Sequence, residues 1–165
     1  MLIMGIDPGI NECAFAIVKS EGKKLTLVEA VLVRNTYKKV SSKVDKKEKV
    51  IQMARDFKKA MLKLDTSLDL MCIELTTSVL NHDTLARMAF AGGFAAGSVE
   101  ASDIMVVAPP TWKDVSDKLE NHERMYARMT AKFKKELDVF LKPVPNGKRH
   151  NIIDAVGIAI WASKQ

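Results

Sequence analysis

Met1-Leu2-Ile3-Met4-Gly5-Ile6-Asp7-Pro8-Gly9 opens the chain, and its order decides the fold. An apolar run ends in a carboxylate, and a Pro-Gly turn follows at once. A lone acid in an apolar element is costly unless it is paired or holds a cation. The same construction recurs at Leu70-Met71-Cys72-Ile73, which ends in Glu74, and Asp154 interrupts the apolar segment Ile152 to Ile160. Three such acids in a chain of 165 residues predict that Asp7, Glu74 and Asp154 converge, and converging carboxylates predict a divalent cation.

Working outward, 2–7 and 12–19 read as strands joined by the Pro-Gly turn. The second, Cys13 to Val18, is apolar throughout, like a central strand. After a turn at Glu21-Gly22-Lys23-Lys24, residues 25–33 alternate, with Leu25, Leu27, Glu29, Val31 and Val33 expected on one side. A loop over 35–45 leads to a helix over 46–64, where Val50, Ala54, Phe57, Met61 and Leu64 fall at helical spacing. A strand over 69–74 follows, then a helix capped by Asn81 or Asp83 and running to about 101. Ala89, Ala91, Gly92, Gly93, Ala95, Ala96 and Gly97 leave that helix almost without bulk. Glycine inside a helix costs about 1 kcal/mol against alanine, so a close neighbour is expected, either the domain's own sheet or a second copy of the helix. The remaining elements are a strand over 103–108, a short helix capped by Thr111 with Trp112 and Lys113, a charged helix over 121–138, and a last helix over 149–163. Together they predict a single α/β domain over 1–165. Its mixed five-stranded sheet has three antiparallel strands first and parallel strands joined through helices later. Ligands in such sheets gather at strand C-termini.

Apolar content of 47% and charged content of 28% are those of a globular protein. No apolar run nears the ~20 residues that cross a bilayer, and no signal peptide is recognisable. Cys13 and Cys72 lie in strand-like stretches and read as buried free thiols, which places the chain in the cytoplasm (the host's, if phage-encoded). The net charge of +6 is concentrated: residues 36–65 carry ten Lys/Arg against four Asp/Glu, while the rest of the chain balances. Lys38, Lys39, Lys43, Lys46 and Lys47 lie in this stretch, which is either a solvated helix face with a lysine-rich loop or a footprint for a polyanion.

Mg²⁺ takes oxygen ligands in octahedral geometry, and two ions about 3.5–4 Å apart can clamp both oxygens of a phosphodiester displacement. In Lys148-Arg149-His150-Asn151-Ile152-Ile153-Asp154, residues three or four apart share a helix face, so Asn151 and His150 can approach a group held by Asp154. Either is an auxiliary ligand, or His150 orients or protonates. Lys148 and Arg149 oppose the helix macrodipole, a cost that nearby phosphate would offset.

The ordered set Gly5-Ile6-Asp7-Pro8-Gly9, Cys72-Ile73-Glu74, the Gly/Ala-rich helix, Pro110-Thr111-Trp112-Lys113 and Asp154-Ala155 resembles RuvC Holliday junction resolvases, in a divergent, phage-like form. That resemblance implies a ribonuclease H-like fold and a homodimer that nicks opposite strands of a four-way DNA junction or related branched DNA. It implies Asp7, Glu74 and Asp154 as metal-binding acids, with two Mg²⁺ per site for which Mn²⁺ can substitute. Lys113 stands where the family has a basic residue by the active site, and Ala89, Gly93, Ala96 and Gly97 fall on the dimer helix. The lysines above, with Lys148 and Arg149, would then track DNA backbones. Two departures stand out. Asn151 replaces the acid or histidine three residues before the last aspartate, and Leu75-Thr76-Thr77-Ser78-Val79 lacks the aromatic that usually follows the glutamate. The neutral Asn151 is compatible with a catalytically weakened junction-binding protein, which is the alternative reading.

Overall fold

In the computed structural model, which describes residues 1–38, 45–64, 66–75, 81–113 and 118–165 (the side chains of 118–121 excepted), one five-stranded sheet organises the chain. Its strands are β1 (Leu2–Asp7), β2 (Glu12–Glu21), β3 (Lys24–Arg34), β4 (Leu68–Glu74) and β5 (Ala101–Val107), in the order β3-β2-β1-β4-β5. The first three pair antiparallel, and β4 and β5 join parallel, as expected for strands linked through helices. The helices are α1 (Lys46–Met61), α2 (His82–Gly97), α3 (Pro109–Trp112), α4 (Lys118–Arg128), α5 (Ala131–Leu141) and α6 (Arg149–Ala162).

Side chains alternate across the sheet, and two cores result. Met4, Ile6, Phe15, Ile17, Met71 and Ile73 face α1 and α2, where Phe15 meets Phe57 edge-on with centroids 6.0 Å apart. Ile3, Ala14, Ala16, Val18 and Cys72 face α6, whose Ile152, Ala155, Val156, Ile158 and Ala159 are fully buried. Small residues on the strands let α6 lie close. A Cβ at Gly5 would stand 2.2 Å from the Ala155 carbonyl oxygen and 2.5 Å from the Ala159 nitrogen. Cys13 and Cys72 are free and buried, and burial raises both thiols, Cys72 to about 12, with the Asp7 carboxylate adding to the rise at Cys13. Neither offers a thiolate at neutral pH.

Several expected boundaries move. The alternation expected across 25–33 is broken by a register shift opposite Ile17 and Val18. The extra residue puts Leu25 and Leu27 on the α6 side, while Val31 and Val33 turn to the other core. The helix expected over 121–138 is two helices, because Thr130 caps α5 by accepting from the Phe133 amide. Asn81, not Asp83, caps α2, which stops at Gly97 rather than near 101. Thr111 is inside α3 rather than its cap; Ala108 is the N-cap, without a side-chain bond, and Lys113 follows as the C-cap.

Candidate active site

Alternation brings the strand acids to one place. Asp7 pairs with Ala14 on the α6 side, and the parallel pairing of Ile6 with Ile73 makes Asp7 and Glu74 the next residues of neighbouring strands. Helix α6 crosses this end of the sheet with Ala155 over Gly5, which sets Asp154 beside it. Asp154 is 3% exposed and Glu74 7%, whereas Asp7 is half-buried at the rim. A carboxylate buried this deeply needs compensating donors.

Lys113 supplies part of that compensation. Its ammonium lies 3.5 Å from Glu74 Oε2 and 3.6 Å from Asp154 Oδ2, and 4.6 Å from the centroid of the Trp112 ring. Trp112 Nε1 donates to Glu74 Oε2 at 2.8 Å. On the other side of the site, His122 Nε2 is 2.7 Å from Asp154 Oδ1. A carboxylate only accepts, so Nε2 carries the proton. The His122 ring stacks on His150, with centroids 6.4 Å apart and planes 16° from parallel. His150 therefore stands beside the histidine that touches Asp154.

Asn151 and Lys148 meet a residue that the sequence reading did not single out. Asn151 Nδ2 donates to Glu12 Oε2 at 3.3 Å, and Lys148 Nζ is 2.9 Å from the same oxygen. Arg149 Nε donates to the Val144 carbonyl at 3.1 Å and ties the preceding loop to α6. Lys46 forms an exposed ion pair with Asp83 at 3.4 Å, and Lys38 and Lys47 are exposed. Lys39 and Lys43, and positions 76–79 of the stretch lacking an aromatic, lie outside the described residues. On α2, Ala89, Gly93 and Gly97 form an exposed stripe. Gly92 and Ala95 face the sheet, and Ala96 is half-buried against the second core.

Four residues of this neighbourhood escaped the sequence reading: Glu12, Trp112 as a hydrogen-bond donor, His122 and Gly157. The only signal for His122 is its place on the buried face that also carries Met125 and Met129 at helical spacing. Gly157 is needed because a Cβ there would stand 2.4 Å from Met125 Sδ and 2.7 Å from Trp112 Cζ3, so it seats the indole that holds Glu74. Trp112→Phe keeps most of the ring but removes the donor. It is expected to cost about 1–2 kcal/mol in a thermal melt and to weaken divalent-cation binding by roughly tenfold or more; unchanged cation binding would deny the indole a part in orienting Glu74.

The donors fit a hard cation. Carboxylate oxygens suit Mg²⁺ or Mn²⁺, and the Lys113 ammonium already stands in for positive charge between two of them. Among the described residues, no group of three or more His, Cys, Asp or Glu side chains is drawn together as a finished metal cage. The carboxylates of Glu74 and Asp154 close instead on Trp112, Lys113 and His122.

Comparison with known proteins identifies the family. The chain is 32% identical over 89 residues to the crossover junction endodeoxyribonuclease RuvC of Aliarcobacter butzleri (strain RM4018), covering 54% of this chain and 53% of that protein, so the match spans about half the length of the curated relative. Among solved structures, T. thermophilus RuvC in complex with a Holliday junction substrate is similar with a TM-score of 0.64 and 19% identity, over 97% of this chain and 90% of that one. The fowlpox virus resolvase in complex with Holliday junction DNA is similar with a TM-score of 0.59 and 16% identity, over 99% and 97%. Both show the same α/β fold, the ribonuclease H-like arrangement expected from the sequence. With the model of the crossover junction endodeoxyribonuclease RuvC family matching residues 3–161, nearly end to end and across all three acids, the chain belongs to that family.

Proposed function

We propose that this chain is a Mg²⁺-dependent endodeoxyribonuclease that resolves four-way DNA junctions and related branched DNA. The observation that carries the reading is the pairing of buried Glu74 and Asp154 through one ammonium, at the strand ends where Asp7 also emerges. Asp7, Glu74 and Asp154 would hold two Mg²⁺, with Mn²⁺ able to substitute and Asn151 as a neutral auxiliary ligand. Bound there, the ions supply Lewis-acid polarisation of the scissile phosphate and a more acidic water nucleophile. The chain's residues do the rest. Trp112 holds Glu74 Oε2, and His122 Nε2–H holds Asp154 Oδ1, so both carboxylates are fixed before a cation arrives. Lys113, whose ammonium lies between Glu74 and Asp154, would offset negative charge developing on a phosphate oxygen bound beside those acids. His150, stacked on His122, is placed to orient it. Lys38, Lys39, Lys43, Lys46, Lys47, Lys148 and Arg149 are the candidates for DNA backbone contact.

The similar solved structures are resolvases with junction DNA, which supports the substrate class. A second reading, a junction-binding protein with weak catalysis, is favoured by Asn151, whose amide donates to Glu12 and brings no charge of its own. Incubating labelled four-way junction, linear duplex and RNA–DNA hybrid with Mg²⁺ or Mn²⁺ separates the possibilities. Symmetric nicks in the junction alone are expected. Tight binding without nicks supports the second reading, and preference for the hybrid overturns the substrate assignment.

A homodimer through α2 completes the proposal. The exposed stripe Ala89, Gly93 and Gly97 leaves room for a second backbone, since a Cβ at either glycine meets no heavy atom within 4 Å. Phe90, Ile104 and Val106 are 52%, 49% and 59% exposed, and the two β5 residues pair with Met71 and Ile73 on the same side of the sheet as α2. Apolar exposure on this scale beside a small-residue helix fits a covered face. Gly93→Leu is expected to shift sedimentation from dimer to monomer; a dimer that persists would place the interface elsewhere.

A further inference from the structure

Glu12 sits one turn beyond Asp7, and the fold brings it back to the site. A Cβ at Gly9 would stand 2.2 Å from the Glu12 carbonyl oxygen, so the turn is tight enough to return the chain beside β1 at once. Glu12 is two residues from Ala14, the partner of Asp7, and therefore points to the same α6 side. Its side chain is 15% exposed, and Oε2 accepts from both Asn151 Nδ2 and Lys148 Nζ. The Lys148 contact at 2.9 Å anchors the carboxylate, and the anchored carboxylate faces the amide.

An amide has two unlike ends. A carboxylate has only lone pairs to offer, so the end of Asn151 facing Glu12 must be the NH₂. The carbonyl oxygen Oδ1 is then the end left for another partner, and oxygen is the donor that a hard cation requires. Without Glu12, nothing about the amide itself prefers this orientation, and half of its rotations present NH₂ hydrogens to an approaching cation. We infer that Glu12 is a positioning residue for the metal site: anchored by Lys148, it fixes the Asn151 amide so that Oδ1 is the atom offered to a divalent cation near Asp154. The inference rests on the metal-site reading above and adds the device that makes a neutral residue useful in it. Residues that orient metal ligands typically contribute about 10- to 100-fold in affinity.

The test is Mn²⁺ binding to the purified protein, followed by electron paramagnetic resonance of free Mn²⁺, with no DNA present. Glu12→Ala is expected to weaken Mn²⁺ affinity by roughly tenfold or more. Asn151→Ala is expected to do the same, and the double change no more than either alone. Glu12→Gln keeps an acceptor for the Asn151 NH₂, because Lys148 only donates and so turns the Gln oxygen rather than its NH₂ to the shared position, and is expected to retain most of the affinity. A melting curve taken without metal confirms that each variant is folded, and Glu12→Thr, which suits a strand and also removes the carboxylate, carries the test with the same expected loss if Glu12→Ala is not. Wild-type affinity in Glu12→Ala, additive losses in the double variant, or a loss in Glu12→Gln as large as in Glu12→Ala would each overturn the positioning role. Glu74→Gln serves as the control: if it leaves Mn²⁺ binding unchanged, the metal-site reading itself has failed, whereas its loss beside an unaffected Glu12→Ala removes the inference about Glu12 alone.

Discussion

Glu74→Gln is expected to leave four-way junction binding within a few-fold of wild type while lowering the single-turnover cleavage rate by about a thousandfold. The two effects separate because the substitution keeps the shape of a residue that is 7% exposed and removes its charge. The amide still accepts from Trp112 Nε1 through its remaining oxygen, so the local packing holds. What is lost is one of the negative charges that draws positive charge to the strand ends, now visible as the Lys113 ammonium 3.5 Å away. Under the proposed function, DNA binding would draw instead on lysines outside this pocket, so it is expected to survive the change. A variant that cleaves within tenfold of wild type would mean that Glu74 is a structural acid paired with Lys113 and nothing more.

Gly5→Ala is the second large effect, and it acts through the backbone. The added methyl would stand 2.2 Å from the Ala155 carbonyl oxygen and 2.5 Å from the Ala159 nitrogen, and neither can rotate away as a side chain would. Helix α6 must lift from β1, and Asp154, the residue before Ala155, moves with it. Overpacking of this kind costs about 3 kcal/mol, which for a chain of this size corresponds to a fall in melting temperature of roughly 9 °C. Cleavage should fall further than stability alone explains, because the folded fraction still has Asp154 displaced from Glu74. Calorimetry paired with a cleavage assay at a temperature where the variant is folded checks both parts. An unchanged melting temperature would contradict the close approach of α6 to β1.

What the sequence made legible was the alternation of short apolar strands and the acids that end them. Asp7 and Glu74 are visible because each terminates a run whose period of two fixes the face it takes, and Asp154 because it is the one acid in an otherwise apolar helix segment. The misread features are those that no single run encodes. Met125, Met129, Phe133, Leu137 and Leu141 continue at four-residue spacing straight through the break at Thr130, so the apolar pattern hides the boundary between α4 and α5. His122 and Trp112 reach the site from segments distant in sequence, and their bonds to Asp154 and Glu74 exist only once α3 and α4 have packed over α6. Asn151 was read correctly as a neighbour of Asp154 on one helix face, but its bond to Glu12 spans 139 residues and lies beyond any local rule. The shift opposite Ile17 and Val18 follows from pairing of two strands and leaves no mark in either alone.

The most direct measurement is anomalous scattering from a crystal of the protein grown with Mn²⁺. Manganese peaks within bonding distance of carboxylate oxygens of Asp7, Glu74 and Asp154, with the Lys113 ammonium moved aside, are the predicted result. Manganese bound elsewhere on the chain, with Glu74 and Asp154 still closed on Lys113, would contradict it.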